Sequence, residues 1–394
     1  MKVDIEGRAD RRFESVKQTF EGLWLDIEVG AALSVYWRGE PVVDLWGGFT
    51  DRELKQRWRE DTLVNVYSVT KGLAAFTFAL LVDDGDVSYE DKVADYWPEF
   101  TANGKGQVTI AQLLSHQAGL CGVDETLSVA DLYDWPKMVR LLAKQKPYWT
   151  PGTASGYHAV TWGYLAGELV WRIKGKTLGQ LFLERVAKPL SLEFYLGLPA
   201  EEHNRCATLI GPNHARGRVP TSGVKPSPSE SPNKYFKASL LNPSISPFKD
   251  ACSKEWRLAE IAASNGHGDA RSIAKLYALM AAGGQLNGTR LISSETLALA
   301  TAPEVEVEAQ AENKLDLVTG TQIRRSPGFI LSRGGNYGPG INSFGHAGAG
   351  GSMAFADPDS ELSFCYVMNQ MQPDGQIETR AARLINATYR CIEE

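Results

Sequence analysis

The chain has 394 residues, of which 43% are hydrophobic, 10% aromatic and 22% charged. That length allows two domains, or one large domain with an insertion, and the apolar content excludes disorder as the overall state. With 41 Lys and Arg against 47 Asp and Glu, a net charge of −6, the chain lacks the basic excess of a nucleic-acid binder, and a small or neutral partner is expected.

In chain order, Phe13, Val16, Phe20, Leu23 and Trp24 keep a helical period. The β-rich runs 30–38 and 41–48, parted by Gly39-Glu40, predict a hairpin. A strand-like run over 62–67 leads into Ser68, and an apolar helix follows to Val82, stopped by Asp83-Asp84-Gly85-Asp86. From 86 to 200 the pattern is mainly helical, with Thr109 as a cap for the run that starts at Ile110 and helical spacing over 160–171 and 178–186. Residues 216–249 are rich in Pro and Ser and read as a long loop, a candidate lid. Helical spacing returns over 273–280. Strand-like runs follow at 329–331, 352–356 and 362–368; Asp357-Pro358-Asp359-Ser360 joins the last two, and 377–391 predicts a closing helix. Strands at both ends with helices between them predict an α+β fold. Its sheet domain is expected from residues 1–70 and 265–394, its mostly helical domain from 71–264, with an active site where they meet.

The five cysteines are widely spaced and include no Cys-x-x-Cys, so inert thiols are expected in place of a disulfide framework or a zinc ribbon. The opening Met-Lys-Val-Asp-Ile-Glu-Gly-Arg has no apolar run and does not read as a secretory leader. The apolar run from Leu73 to Val82 is too short to span a bilayer. A reducing, cytoplasmic setting without membrane contact is therefore expected. No Gly-x-Ser-x-Gly, no His-Glu-x-x-His and no complete nucleotide-binding glycine motif occurs, so neither a metal nor a cofactor is expected.

What remains is Ser-x-x-Lys. A serine hydroxyl is a weak nucleophile near neutral pH and needs a base. On the first turn of a helix, residues three apart share a face, so a lysine there can reach the hydroxyl. If it is desolvated, its affinity for the proton falls and it can take the serine's. The pattern occurs five times, at Ser68/Lys71, Ser222/Lys225, Ser231/Lys234, Ser246/Lys249 and Ser272/Lys275. The three middle pairs fall in the Pro-rich stretch, and Ser272/Lys275 reads as a solvated helix face. Ser68/Lys71 stands where a strand-like run meets a buried-looking helix, with Gly72 allowing close packing.

Four segments in this order extend the pattern. Tyr67-Ser68-Val69-Thr70-Lys71-Gly72 resembles the nucleophile motif of the serine β-lactamase and penicillin-binding-protein superfamily. Leu113-Leu114-Ser115-His116-Gln117-Ala118-Gly119-Leu120 and Pro151-Gly152-Thr153-Ala154-Ser155-Gly156-Tyr157 resemble two further segments, the second carrying that superfamily's catalytic tyrosine. Gly345-His346-Ala347-Gly348-Ala349-Gly350-Gly351 lies where its third motif lines the site. Class C β-lactamases have Tyr-x-Asn and Lys-Thr-Gly where this chain has Tyr157-His158-Ala159 and His346-Ala347-Gly348, which removes groups that grip a β-lactam. In this the chain is similar to the family VIII carboxylesterases. The resemblance implies a β-lactamase/transpeptidase-like fold and hydrolysis of small carboxylic esters through an acyl-Ser68 intermediate. It implies Lys71 and Tyr157 as the proton-transfer pair and the Ser68 and Ala349 amides as the oxyanion hole. It also places His158, His346 and Gly348 against the substrate. Which of Lys71 and Tyr157 is the base stays open; a basic Tyr157 requires a depressed phenol, with a Lys71 cation as the natural cause. Acyl transfer on the same fold, weak β-lactamase or D-amino-acid peptidase action, and a scaffold that only binds a ligand are the alternatives.

Overall fold

The computed structural model describes residues 3–25, 28–211, 233–302, 315–372 and 379–393. Among these, an antiparallel sheet of eight strands runs in the order Ile5–Ala9, Glu40–Gly48, Gly30–Trp37, Leu362–Met368, Met353–Asp357, Phe344–Ala347, Ile330–Leu331, Arg324–Arg325. Both expected hairpins are present. In the first, Arg38 (φ 55°) and Gly39 (φ 80°) take the left-handed conformations that a two-residue turn matched to strand twist requires. In the second, Met353–Asp357 pairs with Leu362–Met368. The two hairpins join at the middle of the sheet, where Leu362–Met368 lies against Gly30–Trp37.

Alternation along these strands separates two cores. Leu33, Val35, Phe364 and Tyr366 belong to one, shared with Val16 and Phe20 of the helix Glu14–Gly22 and Leu384 of the helix Arg380–Glu393. Ala32, Tyr36, Cys365 and Val367 belong to the other, shared with the helix Ala270–Ala281 and the helical region beyond it. The antiparallel sheet with flanking helices is the α+β, β-lactamase/transpeptidase-like architecture.

In the helical region, Thr109 caps Ile110–Leu114: its hydroxyl accepts from the Gln112 amide, and Gln112 Oε1 accepts from the Thr109 amide. The helices Thr161–Lys174 and Leu178–Phe182 follow the expected spacing. The stretch 216–249 is not all loop. Asn233 caps a helix over Lys234–Leu240, while residues 216–232 lie outside the described residues.

The helix Val69–Asp83 lies between sheet and helical region, and the 70/71 boundary read from sequence falls inside it. Leu73, Phe76, Leu80 and Leu81 are buried as expected, but so is every other position from Val69 to Leu81. A helix apolar on all sides is a core element. Gly72 permits this, since a Cβ there would stand 2.0 Å from the Tyr277 hydroxyl oxygen. Gly72→Ala is expected to destabilise the protein by about 1–3 kcal/mol through overpacking. Tyr277→Phe removes that hydroxyl, which has no hydrogen-bond partner among the described residues, and should recover part of the loss. Urea unfolding of both single variants and the double variant checks this; strictly additive changes would contradict the contact.

Candidate active site

Ser68 stands at the N-terminus of the 15-residue helix Val69–Asp83, in a turn closed by Thr70 N to Tyr67 O (3.0 Å) and Lys71 N to Ser68 O (3.1 Å). Tyr67 before it has φ 45°, a left-handed conformation that a bulky residue keeps only when its surroundings enforce it. Two neighbours do so. Val66 N donates to Gly266 O, and Gly266 N to Thr70 Oγ1 (2.9 Å), which ties the turn to the short strand Gly266–Gly268. His267 lies on that strand. From the opposite side Gly348 packs on the Val66 carbonyl, where a Cβ would come within 2.2 Å of the oxygen.

One turn into the helix, the Lys71 side chain is completely buried. Its Nζ lies 2.8 Å from Ala159 O, 2.9 Å from Ala263 O, 3.1 Å from Tyr157 Oη and 3.2 Å from Ser68 Oγ. Burial, and after it the Arg325 guanidinium, pushes the ammonium's pKa well below its usual 10.5. A neutral amine has two N–H groups and one lone pair. In that form the two carbonyls take the N–H groups and the lone pair is left for the Ser68 hydroxyl.

Tyr157 Oη donates to Ser68 Oγ at 2.6 Å. Burial pushes the phenol up to about 12, against the smaller opposing effects of the Ser68 hydrogen bond and Arg325. This is the reverse of the depressed phenol considered from sequence, because the amine that would have supplied the cation is itself desolvated. Ser68, Lys71 and Tyr157 thus converge at one point, with their polar tips in mutual hydrogen-bond contact.

The histidines have other partners. His158 is fully buried: its Nδ1 donates to Gly156 O (2.6 Å) and its Nε2 accepts from Leu120 N (3.0 Å). Both ring nitrogens are used, which corrects the expected substrate contact, and the ring instead shapes the loop behind Tyr157. His116 accepts from the His158 amide through Nδ1 and from the Gly156 amide through its carbonyl. His346 Nδ1 lies 2.7 Å from Ala347 O, and its ring centroid is 6.2 Å from that of Tyr157. Burial pushes His158 and His346 down to about 3 and His116 well below 6.5, so all three are neutral.

Sequence reasoning missed Arg325 and Asp316. They form a buried ion pair at 2.8 Å, and Arg325 Nη1 also donates to Ser155 Oγ at 2.7 Å, two residues before Tyr157. Arg324-Arg325 reads as surface charge in a sequence, and nothing in its spacing points to Tyr157. The carbonyls of Ala159 and Ala263 carry no side-chain signal at all.

The remaining Ser-x-x-Lys pairs with both members described are used elsewhere. Ser272 Oγ accepts from Glu193 N and Lys275 Nζ donates to Leu190 O, so the pair anchors a turn and is not a solvated face. Ser246 Oγ accepts from Lys249 N. Trp149 joins Tyr148, Tyr157 and Tyr235 in an apolar cluster beside the site. Trp135 instead lines a separate cavity of about 830 Å³ with Trp97 and Trp171, which none of Ser68, Lys71 and Tyr157 reaches.

The family described as Beta-lactamase matches residues 18–387. Esterase/beta-lactamase LipL of Mycobacterium tuberculosis (strain ATCC 25618 / H37Rv) is 34% identical over 373 residues, 93% of this chain and 83% of its own length. A solved family VIII carboxylesterase superposes with a TM-score of 0.88 at 42% identity, covering 98% of this chain and 100% of its own. A penicillin-binding protein homolog from Caulobacter crescentus gives 0.88 at 39%, with the same coverage. With its Ser-Lys-Tyr cluster at the head of a buried helix, the chain belongs to the beta-lactamase family and is a serine hydrolase.

Proposed function

We propose that the protein is a carboxylesterase that cleaves small carboxylic esters through an acyl-Ser68 intermediate. The observation that carries this reading is the position of Ser68 Oγ, 2.6 Å from Tyr157 Oη and 3.2 Å from Lys71 Nζ. Ser68 attacks the ester carbonyl while the Lys71 lone pair takes its proton. Tyr157, protonated in the resting state, gives its proton to the departing alkoxide and recovers one from Lys71 at 3.1 Å. Water then attacks the acyl carbon and loses a proton to the same pair, which returns it to Ser68 Oγ as the acyl–oxygen bond breaks and the acid leaves.

The tetrahedral oxyanion is held by the Ser68 and Ala349 amides. In support, neither donates to a backbone acceptor among the described residues, whereas the nearby Gly348 and Gly351 amides are bonded within their own turn. Such a hole contributes about 3–4 kcal/mol to transition-state stabilisation. His346 and Gly348 belong to the strand side of the cleft. Tyr148, Trp149 and Tyr235 favour an apolar acyl or alcohol group. A reducing, cytoplasmic setting is part of this reading, supported by five cysteines that all stand as free thiols.

Ser68→Ala is expected to lower p-nitrophenyl butyrate hydrolysis by roughly 10³-fold or more and to abolish labelling by a fluorophosphonate. Turnover at the wild-type rate would overturn the assignment. Because the base must be neutral, kcat/KM is expected to fall as pH drops through the depressed pKa of Lys71. Lys71→Arg keeps a cation that does not deprotonate, and should be inactive at every pH up to about 9; a pH–rate series on both proteins checks this.

A further inference from the structure

Several ionisable groups face Lys71. Tyr157 approaches from the loop before the helix Thr161–Lys174, with His116 and His158 behind it, and His346 from the strand Phe344–Ala347. Tyr277 comes from the helix Ala270–Ala281, against Gly72. Burial keeps the three histidines neutral and holds Tyr277 well above 10, with Tyr157 at about 12. Fixed charge therefore enters this surrounding through Arg325 and Asp316.

Their placement is specific. The Arg325 guanidinium carbon lies 5.9 Å from the Tyr157 ring centroid, and the Lys71 nitrogen 4.9 Å from the same centroid. Arg325 holds Ser155 Oγ, and the Ser155 carbonyl accepts from Leu317 N beside Asp316. Asp316 Oδ1 accepts from the Val318 and Thr319 amides, which leaves Oδ2 for the guanidinium. The pair is an oriented dipole with its positive end toward the phenol and the amine. A buried ion pair contributes little net stability against an apolar replacement, so stability alone does not account for its position beside the nucleophile.

We propose that the Arg325–Asp316 pair is a positioning element of the hydrolase: its guanidinium fixes the Tyr157 segment through Ser155, and its positive end keeps Lys71 in the neutral, proton-accepting form. This rests on the acyl-Ser68 reading. Sharing the Tyr157 ring as neighbour puts the guanidinium within about 11 Å of the amine; at that range and an effective dielectric constant of about 20 a unit charge moves a titration by about one pH unit, and Asp316 reduces that. The depression of Lys71, in which Arg325 is the second cause after burial, has the same sign.

The test is the acid limb of kcat/KM for p-nitrophenyl butyrate, with the Ser68→Ala rate subtracted. Arg325→Met removes the cation, so protonated Lys71 becomes easier to form and the limb should move up by about 0.5–1 pH unit. Asp316→Asn keeps the Oδ1 acceptor, removes the anion and leaves the cation unopposed, so the limb should move down. Arg325→Lys keeps the charge and loses the fork; its limb should stay near wild type while kcat falls. A merely structural pair would lower the rate in all three without moving the limb in opposite directions. Equal limbs, or shifts of the same sign in the Met and Asn variants, overturn the proposal. So does failure of both variants to fold while Arg325→Lys folds with unchanged kcat, which would make the pair a folding element. A Ser68→Ala protein as active as wild type would instead remove the hydrolase reading, and this proposal with it. With Ser68→Ala inactive, equal limbs count against the pair alone.

Discussion

A primary amine with no access to solvent organises this site. Lys71 Nζ is held by carbonyls from two distant segments, at Ala159 and Ala263, and shares its remaining side with a hydroxyl and a phenol. Charging such a group in a low-dielectric interior is expensive, so the surroundings set its protonation state before any substrate arrives. The buried helix that carries it, the glycine that lets Tyr277 close over that helix, and the neutral histidines around Tyr157 all serve to keep water out of this neighbourhood.

Rigidity is the second requirement. The turn before Ser68 carries a left-handed tyrosine, and it persists because the strand Gly266–Gly268 bonds it on one side while Gly348 packs against it on the other. Both supports depend on missing side chains: a Cβ at Gly266 would lie 2.6 Å from Thr70 Oγ1, and one at Gly348 2.2 Å from Val66 O. Close backbone approach does for the nucleophile what a larger hydrogen-bond network would otherwise have to do.

Much of this was legible in the chain. β-rich runs and the turn residues between them located both hairpins, whose central strands Gly30–Trp37 and Leu362–Met368 separate two cores. Thr109 announced the cap of the helix Ile110–Leu114. Ser68 and Lys71 could be ranked above four other matches because an apolar run follows them. Other features were invisible for definite reasons. Carbonyl partners such as Ala159 and Ala263 belong to the backbone of any residue. Arg325 acts from a two-residue strand 168 positions downstream of Tyr157. His158 stood at a motif position, yet its ring is used by Gly156 and Leu120, and only tertiary structure shows which way a ring faces. The phenol's direction of shift stayed open in the sequence because the balance of burial against a nearby charge is decided by three-dimensional distance. The Pro-rich stretch hid the helix Lys234–Leu240, which its composition disguised.

The strand order has a consequence for biosynthesis. Gly30–Trp37 emerges early from the ribosome, but its second neighbour, Leu362–Met368, is translated more than three hundred residues later. Until then the nascent N-terminal hairpin exposes an unpaired edge of apolar residues, and the closing contact has a very large sequence separation. Maturation must therefore be late and concerted. The nucleophile's helix can form on its own schedule, yet the strand that brings Gly348 against the turn before Ser68 is seated only when the last part of the sheet arrives.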